Sequence, residues 1–266
     1  MACRCKAAEG PALFANFSGQ MILDDVSVSD CHASSQCGGV SIYARGLSVT
    51  SVRFGSSLSF VSTHSEGPGG CMCLFMAPSA GFLALYTPNN VGMISATACT
   101  SGGEGLIYID GGSVTMSNIF AKSNRALSGG FVSAKNLQMF KVNSGVVQNT
   151  TVTEDGSAFA TYNSNEVNIT GVSISTCKSG GSGTIYLEGG RRGYLSELTM
   201  NSNNVNQYGV GFSDISLSPC MRFLISNRTG CHLYQWDGRN YVGQEFILLE
   251  HVRWAWDGVW VGVRKD

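Results

Sequence analysis

The chain has 266 residues, a formal net charge of −1 and 13% charged residues, against about 25% in an ordinary soluble domain. That balance offers no basic face for nucleic acid, and low charge with abundant Ser, Thr, Asn and Gly marks strand surfaces and turns rather than helices. The longest apolar passage, Cys71 to Tyr86, is interrupted by Pro78, Ser79 and Gly81, which excludes a membrane-spanning helix there.

Residues 1–12 read as an N-terminal lead or part of a cap. The pair Cys3 and Cys5 has no second Cys or His pair at zinc spacing, so disulfide use is the expected role. The start, Met1-Ala-Cys-Arg-Cys-Lys, has no apolar signal core. Leu13-Phe-Ala-Asn-Phe and Met21-Ile-Leu-Asp-Asp-Val-Ser-Val-Ser match the second half of a repeating unit, so the chain reads as a fragment of a longer secreted precursor. Cys31 and Cys37 flank the bend His32-Ala-Ser-Ser-Gln36, where a local disulfide is expected. Cys71 and Cys73, two apart, are expected on one face of a strand.

The central motif is Cys99-Thr-Ser-Gly-Gly-Glu-Gly-Leu-Ile-Tyr-Ile-Asp-Gly-Gly112. It returns 78 residues later as Cys177-Lys-Ser-Gly-Gly-Ser-Gly-Thr-Ile-Tyr-Leu-Glu-Gly-Gly190. Gly pairs or single Gly in the same setting, from Gly38 to Gly209, lie 24 to 33 residues apart, so the long offset is three turns of a shorter unit, in the solenoid range. Each unit gives a short apolar run (Val40-Ser-Ile-Tyr, Leu106-Ile-Tyr-Ile, Thr184-Ile-Tyr-Leu). A second run alternating at period two follows (Ser113-Val-Thr-Met-Ser, Glu166-Val-Asn-Ile-Thr), and a third strand such as Val172-Ser-Ile-Ser. Alternation with β-branched and aromatic residues means strand, and units too thin to bury their own faces must stack. The expectation is an all-β, right-handed parallel β-helix, a solenoid of about seven to eight three-strand coils over 13–219. Val49, Val114, Ile169 and Leu198 are expected in one buried file, and Ile42, Ile107 and Ile185 in another. An antiparallel sandwich is the competing architecture, but it does not explain the near-verbatim repeat.

Residues 220–266 hold all four tryptophans, Trp236, Trp254, Trp256 and Trp260. Cys220 and Cys231 bracket Asn227-Arg-Thr-Gly230 as a candidate disulfide loop, and a strand turn is expected at Asp257-Gly258. The segment reads as an aromatic-rich C-terminal cap over the last rung, with the four tryptophans as alternative contact-surface residues. Four N-x-Ser/Thr sequons, at Asn16, Asn149, Asn168 and Asn227, are candidate glycosylation sites. With an even cysteine count they favour an oxidising, secretory compartment and an extracellular or cell-surface location. A reduced cytosolic protein with buried thiols is the alternative.

No catalytic signature stands out. Asp110 and Glu188 align in the repeat, but three coils at ~4.8 Å put them ~14 Å apart, beyond the ~5–9.5 Å of a glycosidase carboxylate pair. Asp30 with His32, and Glu66 with His64, have no specificity. The Asp24-Asp25 doublet points to opposite faces of a strand.

The Gly-Gly before an Ile-Tyr strand resembles the coil pattern of the pectate-lyase-like right-handed β-helix superfamily over roughly residues 13–218. Within it, the repeats look like those of polymorphic outer-membrane-protein-like surface proteins. Gly38-Gly-Val40 and Gly129-Gly-Phe131 stand where that family has Gly-Gly-Ala, and Phe120-Ala-Lys-Ser-Asn124 approximates its Phe-x-x-Asn motif. The resemblance implies adhesion or surface structure, and the expected function is that of a non-enzymatic surface protein with protein neighbours or cell-surface polysaccharide as partners. It implies no cofactor and transfers no catalytic residue. A carbohydrate-active enzyme or lectin of this fold, or an accessory subunit of a larger assembly, are the other readings.

Overall fold

The computed structural model describes residues 5–17, 20–44, 51–54, 57–76, 82–85, 93–189, 192–206 and 212–214, with short C-terminal strand segments at 224–226, 247–249, 254–256 and 259–261. The chain coils into three parallel sheets. Sheet A runs from Lys6–Glu9 through His32–Gln36, His64–Ser65, Thr100–Ser101, Arg125–Ala126, Thr151–Val152 and Lys178–Ser179 to Asn204–Val205. Sheet B runs from Leu13–Asn16 through Val40–Ala44, Met72–Met76, Ile107–Asp110, Val132–Lys135, Phe159–Tyr162 and Ile185–Glu188 to Phe212–Asp214. Sheet C holds the long runs, among them Ser113–Lys122, Met139–Gln148 and Glu166–Ser175. This is the parallel β-solenoid that the repeat demanded. Leu13, Val40, Met72, Ile107, Val132, Phe159, Ile185 and Phe212 share one register line of sheet B at steps of 25 to 35 residues.

Several details differ from expectation. The second and third strands of a unit are two halves of one sheet C strand, bent where Asn118, Ser144 and Gly171 adopt positive φ. The third sheet is instead the short sheet A, mostly two residues per coil, in a stretch the sequence presents as a polar bend. Lys6–Glu9 pairs with His32–Gln36, so the stack reaches into the expected lead at 1–12.

The buried files are real but shifted. Val114 lies in line with Phe140 and Val167, whereas Ile169 lies in line with Met116, Val142 and Leu195. The corner between sheets B and C also varies in length: two residues, Gly111 and Gly112, in one coil, and three (136–138 and 163–165) in the next two. Ile107 and Ile185 share a file, but Ile42 stacks on Leu74 and Ile109 in the neighbouring inward file. Val49 lies outside the described residues.

The core is one cluster along the axis, including Phe60, Leu74, Phe131, Phe140 and Phe159, all fully buried. A polar file runs beside it where sheet C turns into sheet A: Cys31, Thr63, Cys99, Asn124, Thr150 and Cys177, all buried, followed in the next coil by Asn203. Asn124 accepts from the Cys99 backbone N–H at 2.9 Å and donates to the Ala96 carbonyl at 3.0 Å. Asn203 repeats the arrangement on Cys177 and Ile174. These bonds satisfy backbone groups that water cannot reach.

The glycine motif has a steric origin. A Cβ on Gly130 would stand 2.1 Å from the Ser157 carbonyl oxygen, and one on Gly38 or Gly180 would be equally close to the backbone of an adjacent coil. The loops between sheets A and B therefore stack only if they carry no side chain there. At the C-terminal end, Trp254–Trp256 pairs antiparallel with Val259–Val261, a hairpin flanking the expected turn. The side chains of Trp236, Trp254, Trp256 and Trp260, and residues Cys220, Cys231 and Asn227, lie outside what is described. So does the cap assignment for 220–266. Among the described residues no helix is long and apolar enough to cross a membrane.

Candidate functional site

In-register parallel strands bring equivalent side chains of adjacent coils to ~4.8 Å, so any outward position becomes a line along the solenoid. Sheet B has two such lines. One carries Asn16, Tyr43, Phe75, Asp110, Lys135, Tyr162 and Glu188; the other carries Phe14, Ser41, Cys73, Tyr108, Ser133, Ala160 and Tyr186. Between them, every coil from Phe14 to Tyr186 contributes a ring or a cation.

The rings meet. Centroids are 5.5 Å apart for Phe14 and Tyr43, 4.6 Å for the stacked pair Tyr43 and Phe75, and 5.8 Å for Phe75 and Tyr108, within the favourable 4.5–7 Å range. The next coil has no ring, and Lys135 fills the gap. Its Nζ lies 5.9 Å from the Tyr108 centroid and 5.1 Å from that of Tyr162, a cation–π geometry on both sides. Tyr162 then meets Tyr186 at 5.6 Å. Phe14 is 55% exposed, Phe75 and Tyr186 are largely covered, and the other rings are half-buried.

Carboxylates border the line. Glu104 holds Lys135 at 2.7 Å and accepts from Ser133 Oγ at 3.3 Å. Glu9 accepts from the hydroxyls of Ser41 and Tyr43. Glu188 accepts from Tyr186 at 3.0 Å, Asp110 accepts from Asn136 at 2.9 Å, and Asp155 accepts the Ser182 N–H. Burial, reinforced by Asp110 and Glu104, pushes Tyr108 up to about 12. Burial also takes Tyr162 up to about 12; a hydrogen bond with Ser128 opposes this, and Glu104, Asp155 and Glu188 add to it. Tyr186 is raised by burial and then by Glu188. The phenols stay neutral through the physiological range and keep their hydrogens for bonding.

Cysteine placement corrects the sequence reading. Cys37 is bonded to Cys73 of the next coil, 36 residues on, not to Cys31. The two sulfurs sit on the outer face of sheet B in a small apolar cluster with Phe75, apart from the main core. Cys31 instead points inward and donates to the Ser29 carbonyl at 3.4 Å. Cys71 and Cys73 do not share a face: Cys71 precedes the strand and turns into the core. There Thr63 Oγ1 lies 3.4 Å from its sulfur and 3.2 Å from that of Cys99. Burial holds the Cys71 thiol well above the ordinary range. Cys99 and Cys177 lie in one inner file and remain free thiols, and Cys5 is disulfide-bonded.

Asp110 and Glu188 do share a line, with Lys135 and Tyr162 between them. On sheet A the rings of His32 and His64 lie 4.8 Å apart, with His32 Nε2 3.8 Å from Glu66. Among the described residues no three His, Cys, Asp or Glu side chains converge to hold a metal. Of the described sequons, Asn16 is exposed beside Tyr43 on sheet B, Asn149 is exposed at a positive-φ corner, and Asn168 is half-buried and accepts from Thr170. The sheet B rings are what sequence reasoning missed. Their signal was present, since Tyr43, Tyr108, Tyr162 and Tyr186 each sit in the first apolar run of a unit. No protein-family model, curated protein or solved structure matches the chain.

Proposed function

We propose that this chain is a non-enzymatic extracellular or cell-surface adhesive protein that holds an extended glycan along the outer face of sheet B. The carrying observation is the ring line from Phe14 to Tyr186, joined through Lys135. Aromatic rims beside hydrogen-bonding side chains suit sugars, whose C–H faces pack on rings while their hydroxyls meet carboxylates and phenols. A line that repeats with the coil suits a polymer better than a compact ligand. The disulfide between Cys37 and Cys73 supports an oxidising compartment. The Gly-Gly and Ile-Tyr coil pattern supports placement near the pectate-lyase-like superfamily and the polymorphic outer-membrane-protein-like surface repeats. A hydrolytic reading is weaker: Asp110 and Glu188 are separated by two intervening coils, and Glu104 is engaged by Lys135.

The test is binding of immobilised polysaccharides by the full chain and by a Tyr108→Ala, Tyr162→Ala double variant. The double variant should keep its β-sheet circular dichroism and lose binding by on the order of tenfold, since each ring contact contributes about 0.5–1.5 kcal/mol. Unchanged polysaccharide binding would sink this reading of the face.

A further inference from the structure

We infer that Cys71 and Cys99 are an oxidation site: their buried thiols close a second disulfide between coils, inside the solenoid. The inference goes beyond the glycan-binding reading and does not depend on it.

Cys71 stands just before strand Met72–Met76 of sheet B, and Cys99 just before Thr100–Ser101 of sheet A in the following coil. Both side chains turn into the core and are fully buried. A single hydroxyl, Thr63 Oγ1, stands between them, 3.4 Å from the Cys71 sulfur and 3.2 Å from the Cys99 sulfur. The two thiols also hydrogen-bond each other. The structure holds this pair reduced.

The other described cysteines are out of reach or already bonded. Cys31, Thr63, Cys99, Asn124, Thr150 and Cys177 hold one position in successive coils. Cys31 is thus two coils from Cys99 and Cys177 is three, ~10 and ~14 Å at ~4.8 Å per coil, whereas bridged Cα atoms stand within about 7 Å. Cys5, Cys37 and Cys73 are in disulfides. Among the described residues, Cys71 is the thiol that Cys99 meets.

The surroundings divide the chemistry. The hydrogen bond from Cys71 lowers the pKa of Cys99, with burial opposing and Thr63 assisting, while burial raises that of Cys71. Cys99 is therefore the attacking thiolate. It displaces one thiolate from a low-molecular-weight disulfide and forms a mixed disulfide. Cys71 then gives up its proton, attacks the Cys99 sulfur and expels the second thiolate. One external disulfide is reduced to two thiols, the two protein thiols become one disulfide, and their protons pass to the leaving groups. Exchange runs while the coil is open, and closure seals the product. Residues 71 and 73 then act in opposite directions. Cys73 is tied to the coil before it and Cys71 to the coil after it, so three consecutive coils become covalently one.

The experiment refolds the full chain in a buffer of oxidised and reduced glutathione, alkylates it in denaturant and cuts it with cyanogen bromide. Cleavage after Met72, Met76 and Met93 parts Cys71, Cys73 and Cys99. The fragment beginning at Ile94 should leave the Ile22–Met72 fragment only on reduction. In Cys71→Ala, which copies Ala158 at the same position of another coil, it should run free with Cys99 alkylated. A second measurement compares melting with and without reductant. Reduction should lower the midpoint of the parent by roughly 5–10 °C more than that of a Cys71→Ala, Cys99→Thr variant, in which the Cys37–Cys73 bridge is the shared contribution. Cys99→Thr copies Thr63 and Thr150, so the variant carries residues the coil already accepts. Alkylated Cys99 in the unreduced parent would overturn the inference. So would a link to the Ile94 fragment that survives Cys71→Ala, which would give Cys99 another partner. An equal fall of both midpoints would overturn the claim that the bridge joins the coils.

Discussion

Cys37 is tied to Cys73 from a backbone position that glycine fills in the other described coils. Just ahead of sheet B, one residue per coil adopts positive φ: Gly10, Cys37, Gly69, Gly105, Gly129, Gly156 and Gly183, with Cys37 at 62°. A side chain in this conformation costs roughly 1–2 kcal/mol. The disulfide contributes a typical 2–4 kcal/mol, enough to offset it. Removing the bridge with Cys37→Ser and Cys73→Ser should lower stability by about that amount in denaturant titration. A Cys37→Gly, Cys73→Ser variant should recover about 1 kcal/mol of the loss. Equal stability of the two double variants would show that the backbone position exerts no strain.

Stacking of the glycine loops makes a second prediction. Gly130→Ala places a methyl 2.1 Å from the Ser157 oxygen and 2.5 Å from Thr150 Cγ2. Neither is the free end of a long flexible chain, so the coils must part. A loss of about 1–3 kcal/mol is expected, read as a lowered denaturation midpoint with the slope unchanged. A midpoint within error of the parent would mean that the loops separate freely.

The inner polar file can be probed at Asn124. Asn124→Ala leaves the Cys99 N–H and the Ala96 carbonyl buried without their partner, which should cost about 1–3 kcal/mol. Hydrogen exchange should accelerate at Cys99 before it does at Ile107 in the neighbouring sheet. Uniform acceleration across both positions would instead indicate general loosening.

His64 gives the pH dependence. Burial lowers its pKa below 6.5, the nearby His32 lowers it further, and Glu66 opposes both. The folded state therefore favours the neutral ring. Stability should be full above pH 6.5 and fall as pH drops from there to the folded value. Below the folded value this group contributes no further change. His64→Thr, copying Thr100 of the next coil, should flatten the decline in melting temperature across that interval. A decline of the same size in the variant would assign the effect to other groups.

The architecture was legible because its cause is repetition. The 78-residue offset, the Gly pairs and the period-two runs all express one coil, and Cys99 and Cys177 fall in one inner file as their spacing implies. Sheet A was not legible, since two-residue strands such as Thr151–Val152 are too short to show a period. The partner of Cys37 was hidden for another reason. Bonding between coils depends on register, and coil length varies where loops are inserted, so the nearest cysteine in sequence, Cys31, looked more natural than Cys73. The ring line was half visible: Tyr108 and Tyr186 repeat in sequence, but Phe75 and Lys135 join them only once the strands are aligned. Sequence attention went to the tryptophans because they cluster along the chain, whereas the sheet B rings cluster only in space.

Serial stacking also dictates how the molecule would yield to a pulling force. Each coil is held mainly by its neighbours, and steps between equivalent sheet B positions are 25 to 35 residues. At ~3.3–3.6 Å per extended residue, peeling one coil releases about 8–13 nm of slack. Tension on the two ends should therefore produce a ladder of similar extension steps rather than a single rupture. The bridge from Cys37 to Cys73 withholds one step near the amino end, and a reducing agent should return that missing length to the trace.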